Sequence, residues 1–154
     1  GCVTCPLATR CYALQHSMVS DLPLRSKKKS NTLRHFHFVV LHWKGKILLQ
    51  QRDGKDIWQG LYTPPIVESN SPRSPSKAQF NSFVKDLVGH SAMDAVRSSP
   101  AQQQLLSHQT IIGRFHHFHL TSAPKARSGT WVTSKSIQGL ARPKMIVGMT
   151  DQLF

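Results

Sequence analysis

At 154 residues with 39% hydrophobic content, the chain has the size of one domain and enough apolar material for a single core. Lys and Arg total 20 against seven acidic residues, a formal charge of +13. That balance favours a polyanionic partner through counterion release, nucleic acid first and an acidic membrane surface second. No apolar run reaches membrane-spanning length and Gly1 opens no signal-peptide pattern, so a soluble, intracellular, monomeric chain with no membrane partner is expected.

In chain order, the three cysteines come first: Cys2, Cys5 and Cys11. An odd, clustered set suits metal or cluster ligation better than a disulfide framework. Residues 21–32 are polar and basic without periodicity and read as a linker, in which Lys27, Lys28 and Lys29 are either a solvated run or a phosphate-tracking one. The domain proper is expected over residues 33–154. Its first element is a hairpin, Leu33 to Trp43 and Lys46 to Arg52, joined by a tight turn at Lys44-Gly45.

Residues 69–75 (SNSPRSP) read as a surface loop, after which Ser76 and Gln79 supply the two halves of a capping box. Phe80, Phe83, Val84, Leu87 and Val88 then fall on one helical stripe, and Gly89 is placed to end it. Residues 91–100 read as a polar connection, and Leu105 to Leu120 as one or two strands interrupted at Gly113. Trp131-Val132 suggests a last short strand. Pro143 opens a terminal helix with Met145, Ile146, Met149 and Leu153 on one face. The pattern predicts an α/β (α+β) sandwich, a mixed β-sheet packed between helices.

Three separated pieces resemble the C-terminal half of MutY-family adenine DNA glycosylases. Cys2-x2-Cys5-Pro6-Leu7-x3-Cys11 matches the last three ligands of that family's C-x6-C-x2-C-x5-C iron-sulfur loop. Ile47 to Arg52, followed by Ile57-Trp58-Gln59-Gly60-Leu61-Tyr62-Thr63-Pro64-Pro65, looks like its strand and W-x-G-L-W-E-F-P turn. Leu106-Ser107-His108 is similar to the Phe-Ser-His loop with which the family reads 8-oxoguanine. Departures are Leu106 for Phe, and Tyr62, Thr63 and Pro64 for Trp, Glu and Phe.

The resemblance implies a Nudix-like domain of a base-excision-repair glycosylase that removes adenine opposite 8-oxoguanine, in the cytoplasm of a bacterial cell at the nucleoid. Residues 1–20 would be the tail of the iron-sulfur loop of the catalytic domain. Cys2, Cys5 and Cys11 would be three of four ligands to a 4Fe-4S cluster, with no intact cluster expected here. The chain would bind duplex DNA containing 8-oxoguanine without cleaving it. Ser107 would read the lesion, since a hydroxyl can accept from N7–H and donate to the C8 oxygen. His108 would contact the neighbouring phosphate and Leu106 would act as the apolar wedge. Arg34, Lys44, Lys46, Arg52 and Arg114 are candidates for the positive face.

Two rivals stand beside this reading. A Nudix pyrophosphohydrolase needs several carboxylates on one helix to hold divalent cations, yet Glu68 is the only Glu in the chain and the helix positions concerned hold Ser82, Phe83, Asp86 and Leu87. A module recruiting repair or replication proteins could use the loops at residues 69–75 and 121–129. His35, His37, His116, His117 and His119 could in principle share a zinc site, but without a nearby Cys or carboxylate a solvated strand face is expected.

Overall fold

The structure, a computed structural model, describes the chain apart from residues 23, 25–30, 90–92, 126, 127 and 154 and the side chains of residues 93, 95 and 96. Lys27, Lys28 and Lys29 lie outside the described residues. Two compact units are formed, Gly1–Ser30 and Asn31–Phe154. The first contains two 3-10 turns, Cys2–Thr4 and Ala8–Arg10, and a one-turn helix α1 (Tyr12–Gln15), none of which buries a residue.

The second unit is organised around β1 (Thr32–Trp43), whose central six residues are buried because aromatic and β-branched side chains cover both of its faces. Lys44 and Gly45 both take positive φ, 45° and 70°, the backbone that a two-residue hairpin turn requires. They return the chain into β2 (Lys46–Gln51), which pairs antiparallel with the end of β1. The short strands β3 (Tyr62–Thr63) and β4 (Ile66–Ser69) pair with β2 and with the first half of β1.

Helix α2 (Lys77–Val88) starts on the Ser76/Gln79 capping box and stops at Gly89, left-handed with φ 79°. Phe80, Val84 and Val88 are buried against Val39, Leu41, Phe118 and Leu120 on one face of the sheet. Next come β5 (Met93–Ser98), β6 (Gln102–Leu105) and β7 (Gln109–Leu120). Both shorter strands pair antiparallel with β7, which itself runs parallel to β1. The strand β8 (Thr130–Val132) adds to β2, and α3 (Ser134–Ile137) leads to α4 (Lys144–Leu153). Met145, Ile146 and Met149 of α4 pack on Phe36, Phe38, Val40, Ile111 and Phe115, the opposite face from α2. The mixed sheet between helices expected from the sequence is therefore the observed architecture. Among the described residues no helix is long and apolar enough to cross a membrane.

Two local expectations are corrected. Residues 91–100 are not merely a connection, because they contain β5, an edge strand whose exposed Asp94, Arg97 and Ser98 hide the alternation that a half-buried strand shows. Nor is the long strand interrupted at Gly113. The break falls at residues 106–108, and β7 runs through Gly113, where a Cβ would come 2.9 Å from Phe38 Cε2 and would also meet Met145. Glycine lets α4 approach the sheet there.

Candidate nucleic-acid interface

Leu106-Ser107-His108 forms the turn between β6 and β7, closed by Leu106 N–H donating to the Gln109 carbonyl at 2.9 Å. It is pinned to the start of β1 by Thr32 N–H on the His108 carbonyl at 3.3 Å, and Asn31 Nδ2 donates to Thr110 Oγ1 at 2.8 Å. Ser107 and His108 are exposed on this fixed backbone. Leu106 is partly buried and packs on the Phe36 cluster, whereas Leu105 is 70% exposed. Leu105 is thus the more exposed of the two apolar side chains.

Beside the turn lies a charge network. Arg34 sits over the Phe36 ring at 4.8 Å and spends all its donors on neighbours. It reaches both Glu68 oxygens at 2.6 and 2.7 Å, both Asp56 oxygens at 2.8 and 2.9 Å, and Gln109 Oε1 at 3.1 Å. Arg52 adds a bond from Nη2 to Asp56 at 3.0 Å and one from Nε to the Ile57 carbonyl at 3.1 Å. These contacts raise the Arg34 pKa further, through Glu68 first and Asp56 second. The Asp56 carboxyl is held down at about 2, chiefly by its bonds to Arg34. Two cations and two anions cancel, so Arg34 and Arg52, expected on the positive face, are committed to carboxylates.

The remaining basic candidates do not gather at the turn. Lys46 pairs with Trp43 and Gln109 with Thr32, so eleven residues of strand, about 36 Å, separate Lys46 from the turn. Arg114 is half-buried on the α2 face and donates to Ser74 Oγ at 3.2 Å. Lys44 is exposed and lies 5.1 Å from the Trp43 ring, at the Lys46 end of the sheet.

Asp56 was not singled out in the sequence, and Trp58 entered only through the turn motif it opens. Trp58, left-handed at φ 61°, packs against Phe36 and Phe38 at 5.8 and 6.4 Å and fixes the segment that carries Asp56. Lys55, next to Asp56, is exposed and has no carboxylate partner among the described residues.

The histidines are a further correction to the expected solvated face, because their pattern divides between the two faces of the sheet. His37 and His116 are each only 3% exposed. They form a relay on the α2 side: Ser69 Oγ to His37 Nε2 at 3.3 Å, His37 Nδ1 to His116 Nε2 at 3.1 Å, and His116 Nδ1 to Ser98 Oγ at 2.8 Å. Burial first, and Arg114 or the partner imidazole second, holds both pKa values below the usual 6.5, His116 at about 4. His117 and His119 face α4 instead.

Divalent cations, which Nudix chemistry requires, do not fit the donor set. Asp86 is the one carboxylate on α2 and is exposed, and both Glu68 oxygens are held by Arg34. Among the described residues no three His, Cys, Asp or Glu side chains are arranged to hold a metal ion, and Cys2, Cys5 and Cys11 are free thiols. The purified protein is therefore predicted not to turn over nucleoside triphosphates, the 8-oxoguanine form included, with magnesium or manganese. Phosphate or pyrophosphate release that disappears in Asp86→Asn would refute this.

A family model of the NUDIX domain matches residues 36–151. Solved structures sharing the fold include the C-terminal domain of mouse MUTYH, determined in complex with human PCNA. That domain is 14% identical, with a TM-score of 0.64, over 78% of this chain and 86% of the other. The MutT protein from Methanosarcina mazei Go1 is 17% identical, with a TM-score of 0.57, over 83% and 96% of the two chains. A NUDIX hydrolase from Nitrosomonas europaea is 12% identical, with a TM-score of 0.56, over 79% and 88%. At these identities the likeness is one of fold, and it takes in a NUDIX hydrolase and a MutT protein as well as the MUTYH C-terminal domain. Matched along most of its length, the chain belongs to the NUDIX domain family.

Proposed function

We propose that residues 33–154 form a DNA-reading Nudix-like domain of a MutY-type adenine glycosylase, binding duplex DNA at 8-oxoguanine and performing no hydrolysis itself. The observation that carries this reading is the exposed Ser107-His108 turn, held to β1 and β7 by main-chain bonds while the nearby carboxylates are neutralised by arginine. A hydroxyl carried on a pinned backbone suits base readout, since the main chain that presents it is placed before the lesion arrives. In this proposal Ser107 pairs with the oxidised edge of the base, His108 and Lys55 meet phosphates, and Leu105 supplies the apolar contact. Cys2, Cys5 and Cys11 would be three of four cluster ligands in the parent enzyme. Because the mouse MUTYH domain was determined in complex with PCNA, a protein partner at the loops of residues 69–75 and 121–129 belongs to the same proposal.

Ser107→Ala tests the reading. Affinity for undamaged duplex and its salt dependence should stay nearly unchanged, because phosphate contacts set both. Preference for an 8-oxoguanine duplex should fall by about 0.5–3 kcal/mol, the range of one or two hydrogen bonds in base readout. Fluorescence anisotropy on matched duplexes measures this. A lesion preference that survives Ser107→Ala would remove the turn from the role of reader.

A further inference from the structure

At the end of β1 and β7 distant from the Ser107 turn, a cavity of about 270 Å³ opens between the sheet and the second half of α4. Its sheet wall is basic and aromatic. His42 of β1 and His117 of β7 approach at 2.9 Å, Nε2 to Nδ1, and the His119 ring stacks on His42 at 4.7 Å with 10° between planes. Arg97 of β5, paired in register with His117, stands at the rim. The buried Phe115, two residues before His117 on β7, continues this wall, and the apolar side chains of Met149 and Leu153 stand opposite on α4. Among the described residues no carboxylate lines the cavity. Asp94, the register partner of His119, is the acidic residue on the adjoining strand and is exposed outside the lining. The α4 side adds Gln152, which is uncharged.

We infer that this cavity is a binding site for a small phosphate monoester, the phosphate received by Arg97 and the imidazoles and the organic body by Phe115, Met149 and Leu153. A guanidinium and three imidazole edges offer more N–H donors than the two oxygens of a carboxylate can take, and phosphate presents three acceptor oxygens. The His42–His117 contact also leaves room for one more proton. Burial keeps His42 at about 4 and holds His117 below its usual value, with Arg97 the second cause at His117. An entering dianion offsets the Arg97 charge and lets the pair take up that proton. A phosphate monoester ionises its second proton near pH 6, so near neutrality it enters mainly as the dianion. A metal ion is the weaker occupant, since no three ligating side chains among the described residues are arranged to hold one.

The phosphate could belong to a free small molecule or to the end of a nucleic-acid strand. Imidazole resonances of the whole chain followed by NMR during titration with phenyl phosphate, inorganic phosphate and benzoate test the site. Short oligonucleotides with and without a 5′-phosphate distinguish the two sources. Saturable shifts at His42 and His117 are expected with phenyl phosphate, weaker ones with inorganic phosphate, and the weakest with benzoate. The imidazole pKa values should rise in the bound state. Arg97→Gln, at an exposed position that leaves the core intact, should weaken binding about tenfold, the loss of one charged contact. Ser107→Ala should leave it unchanged, which separates this site from DNA reading. No saturable response to any phosphate, saturation undiminished by Arg97→Gln, or tighter binding of benzoate than of phenyl phosphate would each overturn the assignment.

Discussion

Lowering the pH from 7 to 4 should destabilise Asn31–Phe154 by about 3 kcal/mol through His116 alone. The folded pKa of His116 is about 4 against 6.5 for the free side chain, and each unit is worth about 1.4 kcal/mol. Because the folded value is the lower one, the native state is undisturbed above pH 6.5 and loses stability as the unfolded chain takes up protons below it. His37, His42 and His117, also depressed chiefly by burial, add to the loss in the same window. Asp56 acts in a separate window: its support is full above the free value of 3.8 and disappears only as the pH falls through about 2. Urea unfolding between pH 7 and 4, with His116 followed by NMR, measures this. A flat stability profile, or a His116 titrating at its ordinary value, would show that the relay on the α2 face is not buried as described.

That relay marks where sequence stopped being informative. Helix α2 was legible because its determinants are local: the Ser76/Gln79 box, a stripe at helical spacing and Gly89. The hairpin was legible for the same reason, since Lys44-Gly45 occupies a turn that needs positive φ. The state of each histidine depends instead on partners elsewhere in the chain. His37 and His116 are 79 residues apart, and parity along a strand gives the face a residue shares but not whether a helix covers it. Gly113 misled because glycine inside a strand reads as a break when a neighbouring helix, not a turn, requires it. The same limit applies at the candidate interface. Ser107-His108 is a turn in the structure, as the likeness of Leu106-Ser107-His108 to a family loop implied, but the commitment of Arg34 to Asp56 and Glu68 spans 22 and 34 residues.

Arg34→Ala should therefore act on stability and on turn geometry, not on phosphate binding. Five hydrogen bonds are lost, four of them to carboxylates, and Asp56 and Glu68 are left facing each other with only Arg52 to compensate. Buried pairs broken in this way cost about 3–5 kcal/mol. Here the carboxylates are 37% and 44% exposed, and solvent screening reduces the expected loss to about 2 kcal/mol. Arg34 also fixes Gln109, the residue that closes the turn behind His108, so lesion preference should weaken in the variant. The salt slope of duplex binding is the discriminating measurement. A committed Arg34 contributes nothing to it, whereas a phosphate-binding arginine would remove about 0.9 from the slope when lost. Glu68→Gln provides the converse test: releasing one side of the guanidinium should raise affinity for damaged and undamaged duplexes alike and steepen the slope. If Arg34→Ala flattened the slope and Glu68→Gln left it unchanged, Arg34 would be exchanging its carboxylates for phosphate on binding, and the charge network would have to be read as a latent DNA contact instead of a scaffold for the reading turn.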